Sequence, residues 1–408
     1  MSYKGALDRL YGLSSKGIEL GLDRVRRAAV ALESPEKGIL CVQVAGTNGK
    51  GTVSTLLAHA LASSGLKTGL FTSPHLHRFS ERIQIDGKEI TQAALLPHLE
   101  AVLALTEPPV SIPLTFFETA TLAALSAFRV SAVEAAVLEV GLGGRLDATS
   151  IVSPVLAAVT SIGFDHTAFL GSTLDRIAQE KAAIARPGAP LVLGRLSDEA
   201  LWAALASADR IGASPRVIDR DFSLPDDIIP PWPGQHQRDN TAIAFELYRL
   251  FLDGDPRFSE THFRTALEII RLPGRFEVLE TRPRVILDGA HNLEAIEALC
   301  RALDDRGEAP DVLLFGVLTD KPAGQMLARL RPRVGGVVLV PPPVHRALDP
   351  RILAEPGDTV CDTIDSGIAR AMDLAAQEGT ILVTGSMFTA GAVRGRLRGE
   401  PADPPIGL

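Results

Sequence analysis

The stretch Val44–Thr52, VAGTNGKGT, constrains this chain more than any other. Before it, the apolar run Ile39–Val44 reads as a buried strand; after it, the apolar-periodic segment Thr52–Ala62 reads as a helix. Gly46, Gly49 and Gly51 allow a tight turn with positive φ and a close approach of backbone to ligand. A helix N-terminus adds free N–H groups and partial positive charge, so strand, glycine turn and helix together cradle phosphate. Lys50 would reach the terminal phosphates as a point charge, and Thr52 offers a hydroxyl to Mg²⁺. The usual loop, G-x-x-x-x-G-K-[ST], is matched only in part. Val44 stands where its first glycine belongs, and the hydroxyl comes one place late, after Gly51. A glycine-rich turn with a solvent-exposed lysine is the plainer reading; the strand–loop–helix context favours nucleotide binding.

The rest of the chain repeats that alternation. Residues from Tyr3 to about Ala31 read as helical. Strands are expected at Thr68–Thr72, Ala135–Val140, Val155–Thr160 and Pro190–Gly194, with helices at Gln92–Leu105, Phe117–Phe128 and Asp175–Ala185. Arg82–Ile85 followed by Asp86–Gly87 predicts a small hairpin. A helix from about Thr241 to Leu252 leads to RLPGR, Arg271–Arg275, which reads as a hinge. The pattern then restarts with strands Arg284–Leu287, Asp311–Phe315, Gly336–Val340 and Thr380–Val383 and helices between them, and the proline-bearing tail Gly399–Leu408 is expected to fray. Strands alternating with helices mean an α/β protein. A large parallel-sheet ATPase domain of the P-loop type (1–270) is expected, followed by a smaller, Rossmann-like parallel α/β domain (271–408). The net charge of −8 argues against a general nucleic-acid surface. No apolar run approaches the roughly 18 residues of a membrane span, and the N-terminus lacks a secretory h-region. Cys41, Cys300 and Cys361 lie far apart, without metal-ligand spacing, which fits a reducing cytoplasm.

Ligands of open α/β sheets bind outside the carboxyl ends of the strands, and several polar residues fall there. Ser73, Glu139 and His166 each end or follow a strand, and adjacent strand ends lie about 5 Å apart. A hydroxyl, a carboxylate and an imidazole are a plausible set for Mg²⁺ beside a triphosphate. Ser73 before Pro74 also reads as turn chemistry, and His166 after Asp165 as a capped turn residue. Glu139 is harder to dismiss, since a carboxylate inside an apolar run is costly unless paired or metal-bound. Lys181 beside Glu180 reads, from spacing alone, as a surface lysine.

With these residues in view, the chain resembles the folylpolyglutamate synthase and dihydrofolate synthase family of Mur ligases. The carrying motifs are GTNGKGT (Gly46–Thr52), TSPHL (Thr72–Leu76), RFSERI (Arg78–Ile83), EVGLGGRLDAT (Glu139–Thr149), TSIGFDH (Thr160–His166) and EKAAI (Glu180–Ile184). GRFE (Gly274–Glu277), DGAHN (Asp288–Asn292) and TGS (Thr384–Ser386) continue them. The resemblance implies that Gly46, Thr47, Asn48, Gly49, Lys50, Gly51 and Thr52 hold the phosphates of ATP, with Asn240 meeting the adenine. It implies one Mg²⁺ served by Thr52, Ser73 and Glu139, and a second served by Glu139 and His166 near a carbamylated Lys181. Arg275, Asp288 and His291 would close over the nucleotide from the second domain, so that Lys50, Glu139, His166, Lys181, Arg275 and His291 form the catalytic set. Thr115, Phe117 and Asp147 fall at the pterin end, and Ser386 on the substrate side.

The implied reaction joins L-glutamate to dihydropteroate and to reduced folates through an acyl phosphate. A cytoplasmic monomer is expected, acting on small molecules without nucleic acid or membrane. Departures are few: Ser80 and Ser150 stand where the family often has Asn, Ala183 where it has Gly, and Pro322 where an acid is common. Alternatives are a ligase restricted to polyglutamylation, a peptidoglycan ligase, for which the N-terminal region is too short, and a nucleotide-binding regulatory protein. The last need not keep Glu139, His166, Lys181, Arg275 and His291 together.

Overall fold

The computed structural model describes residues 1–17 and 19–403, and the chain divides into two compact units. One comprises residues 1–75, 80–231 and 237–270; the other comprises 76–79, 232–236 and 271–408.

The first unit holds β1 (Leu40–Ala45), β2 (Thr68–Phe71), β3 (Ile83–Ile85), β4 (Lys88–Glu89), β5 (Ala135–Glu139), β6 (Leu156–Val159), β7 (Pro190–Leu193) and β8 (Ser214–Val217). They form one sheet in the order β4-β3-β2-β5-β1-β6-β7-β8. From β2 to β8 every pairing is parallel, and β2–β3 and β3–β4 are antiparallel. Every residue of the central strands β5 and β6 is buried, as their unbroken apolar runs require of a sheet covered on both faces. The Asp86–Gly87 turn has φ of 50° and 71°, the pair of positive values that a two-residue hairpin needs.

The second unit holds β9 (Glu277–Leu279), β10 (Arg284–Leu287), β11 (Val312–Phe315), β12 (Gly336–Leu339), β13 (Thr359–Val360) and β14 (Thr380–Thr384). Their order is β13-β12-β11-β14-β10-β9, all parallel except the edge pair β9–β10.

Three expectations are corrected. The N-terminal helix is two helices, Tyr3–Gly12 and Asp23–Ala31, because Gly17 and Gly21 take φ of 71° and 147° and break the path between them. The helix expected from Thr241 begins at Gln235, directly after Pro233 and Gly234, which places HQRDN on the helix. The tail does not fray as far as residue 403: Asp403 accepts the Phe79 N–H at 2.7 Å, and Arg394 donates to Glu400 at 2.7 Å. Residues 404–408 lie outside the described residues.

Candidate active site

The phosphate-type loop leaves the carboxyl end of β1 and enters the helix Lys50–Ser63. Gly49 caps that helix at φ 85°, and a Cβ there would lie 2.2 Å from Asn240 Oδ1. Gly46, at φ 154°, packs against Thr160, where a Cβ would fall 1.9 Å from Oγ1. Only glycine meets both demands. Hydrogen bonds from the end of β6 hold the loop between these glycines. The Thr47 N–H donates to the Ser161 carbonyl at 2.9 Å, the Asn48 N–H to Ser161 Oγ at 2.9 Å, and Thr160 Oγ1 to the Asn48 carbonyl at 2.5 Å. Thr160 and Ser161 were not singled out from sequence, although both lie in TSIGFDH; small hydroxyl residues directly after a strand that neighbours the loop were the available signal.

Two ammonium groups converge on this turn. Lys50 Nζ donates to the carbonyls of Gly46 (3.0 Å) and Thr47 (3.2 Å), and Lys181 Nζ donates to Gly46 at 2.9 Å. The plain reading of Lys181 as a surface residue is therefore wrong: it is 5% exposed on the inner face of the helix Leu174–Ala182. Burial, and then the Lys50 charge, push it down to about 7, against the opposing influence of Asp165 and Asp147. Burial thus favours the neutral amine over the ammonium.

Glu139 closes β5, opposite Val44 in register, and is 3% exposed. Its Oε2 accepts the Ser73 N–H at 2.9 Å, and a Cβ on Gly51 would sit 3.7 Å from it. The carboxylate therefore stands at the first turn of the loop helix, one residue from the buried Thr52 and against the Ser73 backbone. One hard carboxylate near two hydroxyl residues and a phosphate cradle suits Mg²⁺. His166 starts the short helix Thr167–Leu170 at φ 50°, its N–H donating to Asp165 Oδ1 at 2.9 Å. Among the described residues no three His, Cys, Asp or Glu side chains are gathered as a metal cluster, so any ion here needs hydroxyl or phosphate oxygens as well.

Further residues of the first unit have clear local roles. Thr115 caps the helix Phe116–Val130 in a reciprocal box with Glu118, its hydroxyl accepting the Glu118 N–H at 3.3 Å. The Phe117 ring lies 5.7 Å from that of Phe71 and fills the space a Cβ on Gly141 would need. Asp147 is buried and accepts from Leu142 N–H (2.9 Å), Thr149 N–H (3.0 Å) and Thr149 Oγ1 (2.6 Å). Burial raises its proton affinity, and these hydrogen bonds oppose the rise. Asn240 is buried on the helix Gln235–Phe251, its amide donating to Gln237 at 3.3 Å.

In the second unit, Asp288 follows β10 and accepts the N–H groups of Phe276 (2.8 Å) and Ala290 (2.9 Å). Burial raises its proton affinity, opposed first by the Arg275 charge. His291 Nδ1 pairs with the Gly289 carbonyl at 2.8 Å, and Ser386 caps the helix Met387–Arg398 by accepting from Phe388 and Thr389.

Comparison with known proteins places this geometry. Residues 44–190 match the Mur ligase middle domain, and residues 274–387 match the Mur ligase glutamate ligase domain. The dihydrofolate synthase/folylpolyglutamate synthase of Escherichia coli is 35% identical, over 95% of this chain and 93% of its own length. A probable bifunctional folylpolyglutamate synthase/dihydropteroate synthase of Haloferax volcanii is 35% identical over 97% of this chain, which spans only 50% of that protein. Among solved structures, E. coli FolC in complex with DHPP and ADP superposes with a TM-score of 0.88 at 33% identity, covering 98% of each chain. The bifunctional enzyme of Yersinia pestis, complexed with AMPPNP and Mn ion, gives 0.85 at 33% identity, again with 98% of each chain covered. With a likeness that runs through both units and nearly every residue, the chain belongs to the folylpolyglutamate synthase and dihydrofolate synthase family of Mur ligases.

Proposed function

We propose that this chain is an ATP-dependent ligase that joins L-glutamate to dihydropteroate and to reduced folates through an acyl-phosphate intermediate. The observation that carries the reading is the convergence of Lys50, Lys181 and Glu139 on the glycine turn at the strand ends. A carboxylate is a poor electrophile. Transfer of the γ-phosphoryl group makes it an acyl phosphate, which the glutamate amine attacks to give amide, with ADP and phosphate as the other products. The N–H groups at the start of the loop helix and Lys50 hold and neutralise the phosphates, so this chain contributes positioning and electrostatics rather than a covalent intermediate. Bound Mg²⁺ would supply further charge neutralisation, with Thr52, Ser73 and Glu139 around one ion and Glu139, His166 and a carbamylated Lys181 around a second.

Asn240 is assigned to the adenine; Arg275, Asp288, His291 and Ser386 are assigned to nucleotide and glutamate on the family resemblance. Phe117 is assigned to the pterin ring, with Thr115 and Asp147 shaping the wall beside it. Among the described residues no helix is long and apolar enough to cross a membrane. With a net charge of −8, the reading is of a cytoplasmic monomer that acts on small molecules, without nucleic acid or membrane.

The test is phosphate release and product mass with Mg-ATP and L-glutamate, offering dihydropteroate in one reaction and a reduced folate in another. Product in both supports the two-step reading. Product with the reduced folate alone restricts the chain to polyglutamylation, and glutamate-independent turnover in both refutes the ligase assignment.

A further inference from the structure

Gln43 has no place in the reaction described above, yet it sits where a polar side chain is costly. It lies within β1 between Val42 and Val44, paired with Leu138 on one side and Ala157 on the other, and is wholly buried. Its Oε1 has no hydrogen-bond partner among the described residues. Its Nε2 is fully used, donating to Thr149 Oγ1 at 2.9 Å and to Ser150 Oγ at 2.8 Å.

The direction of those bonds matters. A hydroxyl that accepts from an amide must send its own proton elsewhere. Thr149 Oγ1 donates to Asp147 Oδ1 at 2.6 Å, and Ser150 Oγ donates to the Gly144 carbonyl at 2.6 Å. The first has the length of a charge-assisted hydroxyl–carboxylate bond. Rotating the amide by half a turn would present its oxygen to both hydroxyls, draw their protons back from Asp147 and Gly144, and leave a buried NH₂ group unpaired. One amide on β1 therefore orients two hydroxyls, and these grip the loop of residues 141–150 at two points.

That loop touches both Phe117 and the Lys181 helix. Asp147 holds its near end through the Leu142 N–H, while Gly141 lies against the Phe117 ring, where a Cβ would fall 2.5 Å from Cζ. Its outer side meets the Lys181 helix: the Arg145 N–H donates to the Glu180 carbonyl at 3.1 Å, and a Cβ on Gly144 would fall 2.6 Å from that oxygen.

We propose that Gln43 is a positioning residue for the acceptor pocket, setting through Thr149 and Asp147 the loop that Phe117 packs against. The proposal rests on the ligase reading and on Phe117 facing the pterin. Gln43 acts through other groups and touches no reacting atom.

The experiment is steady-state kinetics of the full chain with Mg-ATP, L-glutamate and a reduced folate, comparing wild type with Gln43→Met, Thr149→Val, Thr149→Ser and the Gln43→Met/Thr149→Val double variant. Thr149→Val removes the hydroxyl bond to the Asp147 carboxyl, Gln43→Met removes the two amide bonds that orient the hydroxyls, and each raises the acceptor KM about tenfold or more. The KM for ATP stays within about twofold, because the bonds removed lie on the acceptor side. Thr149→Ser, which keeps the hydroxyl, retains the wild-type acceptor KM. The double variant raises the acceptor KM by less than the product of the two single effects, since both changes break the relay through Thr149 while only Gln43→Met also loosens Ser150. An unchanged acceptor KM in Thr149→Val overturns the proposal, even where Gln43→Met fails to fold. A parallel rise in both KM values also overturns it, by reducing Gln43 to general packing. Wild type without glutamate-dependent turnover defeats the ligase reading first, and the proposal with it.

Discussion

Substituting Gly49 by alanine probes the loop where its geometry is tightest. The residue has φ 85° and ψ −13°, so a Cβ costs about 1–2 kcal/mol in backbone strain alone. The same Cβ would lie 2.2 Å from Asn240 Oδ1 and 2.9 Å from Cγ, and Asn240 is only 7% exposed, so its amide has to leave its rotamer. That displacement costs about 0.5–1.5 kcal/mol, and losing the bond to Gln237 adds about 1 kcal/mol. Gly49→Ala should therefore destabilise the first unit by about 2.5–4.5 kcal/mol, a large part of the stability of an ordinary domain. Asn240→Ala removes every atom of the clash, so in that background Gly49→Ala should cost only the backbone share of about 1–2 kcal/mol. The difference, about 1.5–2.5 kcal/mol, is a coupling that a double-mutant cycle measures. Urea unfolding followed by circular dichroism is the assay. Two units need not unfold together, so the relevant transition is the one that shifts on adding Mg-ADP. Additive costs in the two backgrounds would refute the steric argument, and a Gly49→Ala protein as stable as wild type would refute the strain as well.

Other consequences are more direct. Glu139→Gln keeps shape and removes charge, so ligation should fall at least about a hundredfold while metal-free nucleotide binding persists; near-normal turnover would refute the proposed role of Glu139 as a metal ligand. Burial, with a contribution from Glu36, pushes the Cys41 thiol up to about 12, and the residue is 1% exposed. An aromatic disulfide reagent at pH 8 should therefore modify the half-exposed Cys361 in native protein and reach Cys41 only on unfolding. For Lys181, folding lowers the value from 10.5 to about 7, so between these pH values the unfolded chain binds more protons and stability rises with pH. Below about 7 both states are protonated and the full cost of the buried charge remains. Lys181→Met should abolish that rise, as judged by urea unfolding at pH 7 and pH 9 in carbonate-free buffer; an identical pH slope in both proteins would show that Lys181 does not cause it.

How far letters alone reveal a site depends on whether a residue's environment is local. The glycine turn was legible because strand, turn and helix adjoin in sequence, and the Asp86–Gly87 hairpin because a two-residue turn carries its own chemistry. Glu139 was legible because a carboxylate ending an apolar run announces its own cost. Thr160 and Ser161 were not, since their partners stand more than a hundred residues earlier, on the loop after a neighbouring strand. Nor was the hold on Asp403, whose partner Phe79 belongs to a segment taken up by the second unit.

Lys181 is the instructive case. Read against its neighbour Glu180, it is a charge in a charged helix, and solvent is the natural place for it. Read at helical spacing, it continues the stripe of Ile177, Ala178 and Ala182, all fully buried. A lysine on the apolar stripe of a helix packed on a sheet must either extend its ammonium to an acceptor or give up its proton. Here both solutions are in reach, because the Gly46 carbonyl waits at 2.9 Å and burial, then the Lys50 charge, lowers the amine's affinity for its proton. Burial favours the neutral amine, which is the form the proposed carbamylation would require. Gln43, passed over inside a run read as apolar, is a second polar side chain that the structure buries among apolar neighbours. In both, polarity set against the local periodicity was a signal that the reading from spacing missed.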